Sequence, residues 1–344
     1  MVGNLSDSGL ALLKGPAHRA ARRRWKRTAD VLSKWSGAAS QADPKEAARA
    51  LGRLLKRVAN HDEPGFDGLA AMAMYHRGNA LSNGALRDEA IAAYDELSDR
   101  FDGSDDNLLQ VIITLALFNK AVDLGKLGRT QEAIDTYDQV LQRTDSSIDP
   151  ILLNQAAMSL LNKGVALGEL NRPQEESATY QALINRFGDA TRIEFQRTVA
   201  RAQVFQGVVL GQLRGLNEEL HAYDRVIDRL EGTADVELNT TLAMALIKKG
   251  IVLGWMGHTD AEMAQFERVV QRFGAETTIE LQTQVAMALL CKADSLHSVE
   301  RMDDAIHVYD EIIRRFHATS DPSLGRWVDL ARESRAQALA NTSS

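Results

Sequence analysis

The sequence predicts an all-α solenoid of about seven helical hairpins closed by a C-terminal capping helix. Three observations carry that prediction. Segments like "GRTQEAIDTYDQVLQR" (128–143) return every 43 residues without an insertion. Within each return the apolar residues keep helical spacing, as Ala133, Tyr137, Val140 and Leu141 do in the second copy. No stretch combines sustained apolar–polar alternation with turn signals, so no sheet is expected.

Taken in order, residues 1–20 are expected to form a flexible segment and residues 21–340 the solenoid. A degenerate copy occupies 21–60, with "WKRTADVLSKWSG" as its first helix and "PKEAARALGRLLKR" (44–57) as its second. Leu51 and Arg57 stand there where later copies have an aromatic and an arginine. Six full copies cover about 61–320. Their aromatics are Tyr94, Tyr137, Tyr180, Tyr223, Phe266 and Tyr309, and six residues beyond each stands an arginine, Arg100 through Arg315. Sixteen residues before each aromatic comes a small residue: Gly78, Ala121, Gly164, Gly207, Gly250 and Ala293. A copy of this kind cannot bury its apolar face alone and must stack on its neighbours. In the third copy Asp149 reads as an N-cap with Pro150 at the first helical position, and Asp321–Pro322 repeats that signal for the capping helix, 322–340. Gly128 and Gly257 suit the left-handed residue that ends a first helix.

The bulk numbers agree with a chain that folds and stays soluble. Hydrophobic residues make up 44% and charged residues 25% of 344, and a net charge of −7 argues against a chain-wide nucleic-acid surface. The single cysteine, Cys291, rules out an internal disulfide framework. No secretory leader and no apolar run of membrane-spanning length is read, so a cytoplasmic protein is expected.

The columns resemble the tetratricopeptide repeat. The small residues at Gly78, Gly164, Gly207 and Gly250, the alanines at Ala90, Ala133 and Ala305, and the aromatics from Tyr94 to Tyr309 match its pattern. "LGRTQEAIDTYDQVL" (127–141) is close to its turn and second helix. The period departs from the family's ~34 residues, which points to a variant with extended 43-residue repeats found in bacteria. By period alone a HEAT- or armadillo-like solenoid is the alternative. Glu176, Glu219 and Glu262 replace the family's alanine, so the helix contacts of the three middle copies must differ.

Chemistry-bearing patterns are scarce. No His-Glu-x-x-His, cysteine–histidine metal spacing, phosphate loop or nucleophile elbow occurs, and no catalytic residue, metal ligand or cofactor is predicted. His297 and His307 are expected at the surface, and Cys291 as a buried, inert thiol. "DGSDDN" (102–107) reads as an inter-repeat turn with a capping aspartate. Lys120, Lys163, Lys249 and Lys292, with Asp95, Asp138, Asp224 and Glu267, recur with the repeat and are better explained as inter-repeat pairs than as an anion track.

The resemblance implies a right-handed superhelix whose first helices line a concave, ligand-binding face. Carried onto this sequence, that face includes Phe118, Val122, Leu161, Val165, Val204, Val208, Ile247, Ile251 and Trp255, with a glycine column at Gly125, Gly168, Gly211 and Gly254. Two readings of this apolar stripe stay open: tight packing of first helices on one another, or a groove for a partner helix or extended segment. A basic run supplies the other candidate surface, with Arg19, Arg22, Arg23, Arg24, Lys26 and Arg27 around Trp25. The function expected is a non-enzymatic scaffold or regulatory adaptor for a protein or peptide partner. A nucleic-acid-associated accessory subunit and a peptide or small-ligand sensor are the alternatives.

Overall fold

The computed structural model describes residues 43–58 and 66–342, with isolated positions between 26 and 33. These residues form fourteen helices, with no strand among them. The helices group into two compact units, up to Arg172 and from Pro173 onward. The first unit holds α1 (Pro44–Val58), α2 (Phe66–Asn83), α3 (Arg87–Phe101), α4 (Asn107–Lys126), α5 (Thr130–Thr144) and α6 (Pro150–Glu169). The second holds α7 (Pro173–Phe187), α8 (Ile193–Arg214), α9 (Leu216–Leu230), α10 (Val236–Trp255), α11 (Thr259–Phe273), α12 (Ile279–Ser298), α13 (Met302–Phe316) and α14 (Pro322–Thr342). Even-numbered helices are the first helices of each copy and odd-numbered ones the second. Of the predicted basic run only Lys26 lies within the described residues, where it is helical and exposed; Arg19, Arg22, Arg23, Arg24 and Arg27 lie outside them.

Helix starts follow from capping chemistry. The Asp106 carboxylate accepts from the Leu108 amide at 2.8 Å, Asp149 from Ile151 at 2.7 Å, and Asp321 from Ser323 at 2.9 Å. Each satisfies an amide that has no partner inside its own helix. The turns at the other end need a left-handed residue. Gly128 and Gly257 supply it at φ 73° and 79°, whereas Ala85, Asn171 and Glu300 adopt it at 59°, 53° and 61° despite their Cβ atoms. The fourth copy departs from this rule: Arg214 stays helical, α8 reaches 22 residues, and the break moves to Gly215 at φ 100°. The surplus of the long repeat sits in the first helices, which run to 20 residues in α4, α6, α10 and α12 against 15 in every second helix.

Packing explains the small–aromatic columns. A Cβ placed on Gly78 would lie 2.3 Å from the Tyr94 ring, on Gly207 2.7 Å from Tyr223, and on Gly250 2.6 Å from Phe266. The first helix is therefore notched to admit the ring of the second. Tyr94, Tyr223 and Phe266 are fully buried there, and burying each ring contributes about 1.5–3 kcal/mol. Each buried hydroxyl finds an acceptor, as low polarity demands. Tyr94 donates to Asn79 at 2.8 Å, Tyr223 to Glu219 at 2.7 Å and Tyr309 to Asp294 at 2.7 Å.

Junctions between copies are closed by a recurring pair 25 residues apart. Lys120 donates to Asp95, Lys163 to Asp138 and Lys249 to Asp224, each at 2.5 Å; Lys292 donates to Glu267 and Arg335 to Asp310 at 2.6 Å. In the fourth copy Gln206 and Gln181 make the same bridge without charge, at 2.9 Å. The arginine column reaches back in the same way. Arg143 pairs with Asp102, and Arg272 with Glu231 at 2.6 Å, across the preceding inter-repeat turn. Partly exposed pairs of this type contribute about 0–1 kcal/mol each, so they set register more than stability. These columns are structural, as their periodicity implied.

One helix qualifies an expectation from the sequence. α4 is long and apolar enough, by length and composition, to cross a membrane. Its apolar side chains are instead spent on the first unit's core, where Leu109, Ile112, Ile113, Ala116 and Leu117 are buried.

Candidate functional site

The predicted partner-binding residues divide into three groups. Leu161, Val204 and Ile247 are buried, at 1%, 0% and 1% exposure. They sit one turn before Gly164, Gly207 and Gly250, on the notched side of their helices. They are core residues and offer a partner no surface, which corrects their assignment to a binding face. Phe118, Val122, Val208 and Ile251 are half-buried. Phe118 lies 6.1 Å from the Tyr137 ring, so one side of it is structural. Val165 and Trp255 are open, at 41% and 69% exposure. Trp255 is the last residue of α10, a large apolar side chain presented to solvent without cover.

The glycine column does something other than bring first helices together. A Cβ on Gly211 would fall 2.0 Å from Glu219 Oε2, and one on Gly254 2.6 Å from Glu262 Oε1. Glycine here makes room for a carboxylate from the following second helix. Gly125, whose copy has Ala133 at the corresponding place, has open space at its Cβ. The glutamates that break the family's alanine column are thus matched, eight residues earlier, by glycines. That coupling was present in the sequence and could have been found by comparing the two columns.

Glu219 is 6% exposed and accepts from Tyr223. Lys248 on α10 is half-buried; burial lowers its ammonium below the ordinary lysine range, and the Glu219 charge works against that shift. Glu262 accepts from Ser295 Oγ on α12 at 2.5 Å. Burial raises the Glu176 and Asp294 carboxyls above their usual values. It also pushes the Cys291 thiol up to about 11, which leaves little thiolate at neutral pH. His297 is half-buried and His307 exposed. Among the described residues no group of three or more His, Cys, Asp or Glu side chains could hold a metal ion.

The first unit uses neutral chemistry at the same level of the stack. Asn79 accepts from both Tyr94 and Asn119 at 2.8 Å, linking α2, α3 and α4. Beside this network, Asp123 is 1% exposed and accepts from Ser82 at 2.8 Å, with the Arg87 guanidinium 3.7 Å away. Burial raises the Asp123 carboxyl, and the Ser82 hydrogen bond opposes that rise. These groups are fixed by neighbouring helices and knit the hairpins together.

Comparison with known proteins agrees with this architecture. Residues 115–145 match the tetratricopeptide repeat family. The fold is that of a tetratricopeptide-repeat array. The chain is similar in structure to a tetratricopeptide repeat protein of Parabacteroides merdae, with 11% identity, TM-score 0.56, and 89% of this chain and 99% of that one covered. It is similar also to the apo form of RapI, with 10% identity and TM-score 0.60 over 90% of this chain and 86% of that one. BtubC of P. vanneervenii aligns at 18% identity and TM-score 0.50 over 70% and 90%. No curated protein sequence matches the chain. At these identities the likeness is one of fold, and the site has to be argued from its own residues.

Proposed function

We propose that the tetratricopeptide array is a non-enzymatic adaptor that holds a protein or peptide partner against its first helices. The observation that carries this reading is Trp255, 69% exposed at the end of α10 with half-buried Ile251 one turn before it. Isolated exposed apolar residues are ordinary. A tryptophan, however, is the side chain most enriched among binding hot spots, and here it stands on the helices whose other positions are half-open apolar. In the first unit, Val165 on α6, the counterpart of Ile251 two periods earlier, is 41% exposed. A cytoplasmic, bacterial setting belongs to the same proposal.

Affinity capture from the native host, with partners quantified by mass spectrometry, tests it. Trp255→Ala and Val165→Asp change exposed residues and should leave the melting curve in place. A partner recovered by the parent chain and depleted at least tenfold by either variant is the expected result. Recovery of the same set by all three chains would rule out both exposed positions as contact points.

A further inference from the structure

A second candidate surface lies on the opposite class of helices, at the beginning of the described chain. α1 and α3 each pack on α2 but not on one another, which leaves a groove between the two second helices. It encloses about 670 Å³. Leu55, Leu81 and Leu86 give it an apolar floor, and Lys45, Arg49, Arg53, Lys56 and Arg77 line it with positive charge. Lys45, Arg49, Arg53 and Lys56 fall along one side of α1, all exposed. Only Arg77 has an acidic partner, Glu96 at 3.4 Å; among the described residues the other four have none. Gly52 stands between Arg49 and Arg53 with open space at its Cβ, so the middle of the groove is unobstructed.

The charge is not a requirement of the fold. One period on, the residues at these α1 positions are Asp88, Ala92, Glu96 and Asp99 on α3. Lys45 is matched in later copies by Asp260 and Asp303, and Lys56 by Asp228. Later copies carry single basic residues in two of these columns, Arg225 and Arg268 opposite Arg53 and Arg314 opposite Lys56, but only α1 is basic in all four, in a chain of net charge −7. Four cations set side by side, without an acidic partner among the described residues, repel one another, and an anionic occupant removes that cost.

We propose that this groove binds an acidic peptide segment of a partner protein, one that carries aliphatic side chains between its carboxylates. The carboxylates meet the α1 cations, and the aliphatic groups meet Leu55, Leu81 and Leu86. From Lys45 to Lys56 the stripe is ~16 Å long, which matches about five residues of extended chain. Glu89 and Glu96 on the far wall can accept from peptide N–H groups, which a phosphodiester backbone lacks. Among the described residues no aromatic side chain lines the groove to stack a base. Both features favour a peptide over nucleic acid.

Fluorescence anisotropy on the full chain decides this. The probe is a fluorescein-labelled peptide of alternating Glu and Leu. Its Lys/Leu counterpart serves as control, and a single-stranded oligothymidylate as competitor. Saturable binding of the Glu/Leu peptide at low salt is expected, weakened at least tenfold by Arg49→Glu with Arg53→Glu and lost as salt is raised. Lys45→Glu with Lys56→Glu gives an independent reading should the first pair fail to fold. Val165→Asp, on the first-helix face, should leave peptide binding unchanged, which separates this surface from the one proposed above. Equal affinity in the parent chain and a folded charge-reversed chain overturns the proposal, as does no saturable binding at low salt. Displacement of the peptide by oligothymidylate at lower concentration than by unlabelled peptide reassigns the groove to nucleic acid.

Discussion

On α9, Glu219 accepts from Tyr223, four residues further along its own helix. On α11 the equivalent Glu262 has Phe266 at that place, and its donor is Ser295 on α12. Both carboxylates occupy the space that a glycine of the preceding first helix leaves open. The difference lies in where the donor comes from. In the fourth copy the buried acid is satisfied inside one hairpin, and in the fifth it ties the hairpin to the next copy. Two differences, Phe266 for Tyr223 and Ser295 for Val252 on the following first helix, turn a local hydrogen bond into a junction. The first unit reaches the same burial with amides, and there the acceptor for Tyr94 is Asn79.

Gly211→Ala should disturb this arrangement most, because its Cβ would meet Glu219 Oε2 at 2.0 Å. A loss of about 2–3 kcal/mol is expected in urea titration. In the Glu219→Ala background the same change should cost little, since the pair then resembles the small-residue packing of the second copy. If the two single losses simply add, glycine and glutamate are not coupled.

Removing the hydroxyl in Tyr223→Phe should cost about 2 kcal/mol, because a buried carboxylate loses its donor. Phe266→Tyr should be close to neutral, with Glu262 in reach as a new acceptor. Equal effects of opposite substitutions would erase the distinction between the two copies.

His76 in the first unit is half-buried, its Nε2 is closed off from solvent without a hydrogen-bond partner among the described residues, and burial lowers its imidazole to about 4. The unfolded chain, with an ordinary histidine, takes up a proton first as pH falls. The contribution of His76 to stability is therefore complete above about pH 6.5 and lost as pH falls toward 4, by about 1–2 kcal/mol. Asp123 works in the opposite sense, since its raised carboxyl is protonated more readily in the folded chain. His76→Asn, the residue that stands one period later at Asn119, should flatten the slope of melting temperature against pH over that window. An unchanged slope would remove His76 as its source.

The smallest effect concerns the turns. Glu300 holds φ 61° where Gly257 holds 79° in the preceding copy. Glu300→Gly should raise stability by under about 1 kcal/mol, and Gly257→Ala should lower it by a similar amount, both readable as shifts in melting temperature.

Much of this was legible in the sequence because it repeats. The aromatic and small-residue columns, the lysine–aspartate pairs and the capping aspartates at 106, 149 and 321 each express one contact made many times over. Periodicity shows such contacts as columns. What stayed hidden is which side of a helix faces the core and which columns touch one another. Leu161, Val204 and Ile247 stand four residues before Val165, Val208 and Ile251, and the ~40° by which that spacing overshoots a full turn separates the buried column from the more open one. Gly211 and Gly254 were visible as a column, but their partners belong to a different helix and a different column. The α1 stripe is hidden in the sequence by the denser basic run near Arg22, and shows only when Lys45 and Lys56 are set against Asp88 and Asp99 one period on. Nor does any composition change announce the division after Arg172.

The bridge from each first-helix lysine to the acid 25 residues before it has a consequence for how such a chain can change length. Every donor finds its acceptor at a fixed distance behind it, so the two halves of each latch travel together when a whole period is copied or lost. Excising the 43 residues 249–291 would present Lys292 with Asp224, an acceptor of the same charge and position as Glu267. Such chains can be lengthened or shortened by recombination without a new interface having to evolve. The Gln206–Gln181 bridge is the exception, because a deletion that juxtaposed Lys249 with Gln181 would leave an ammonium facing an amide.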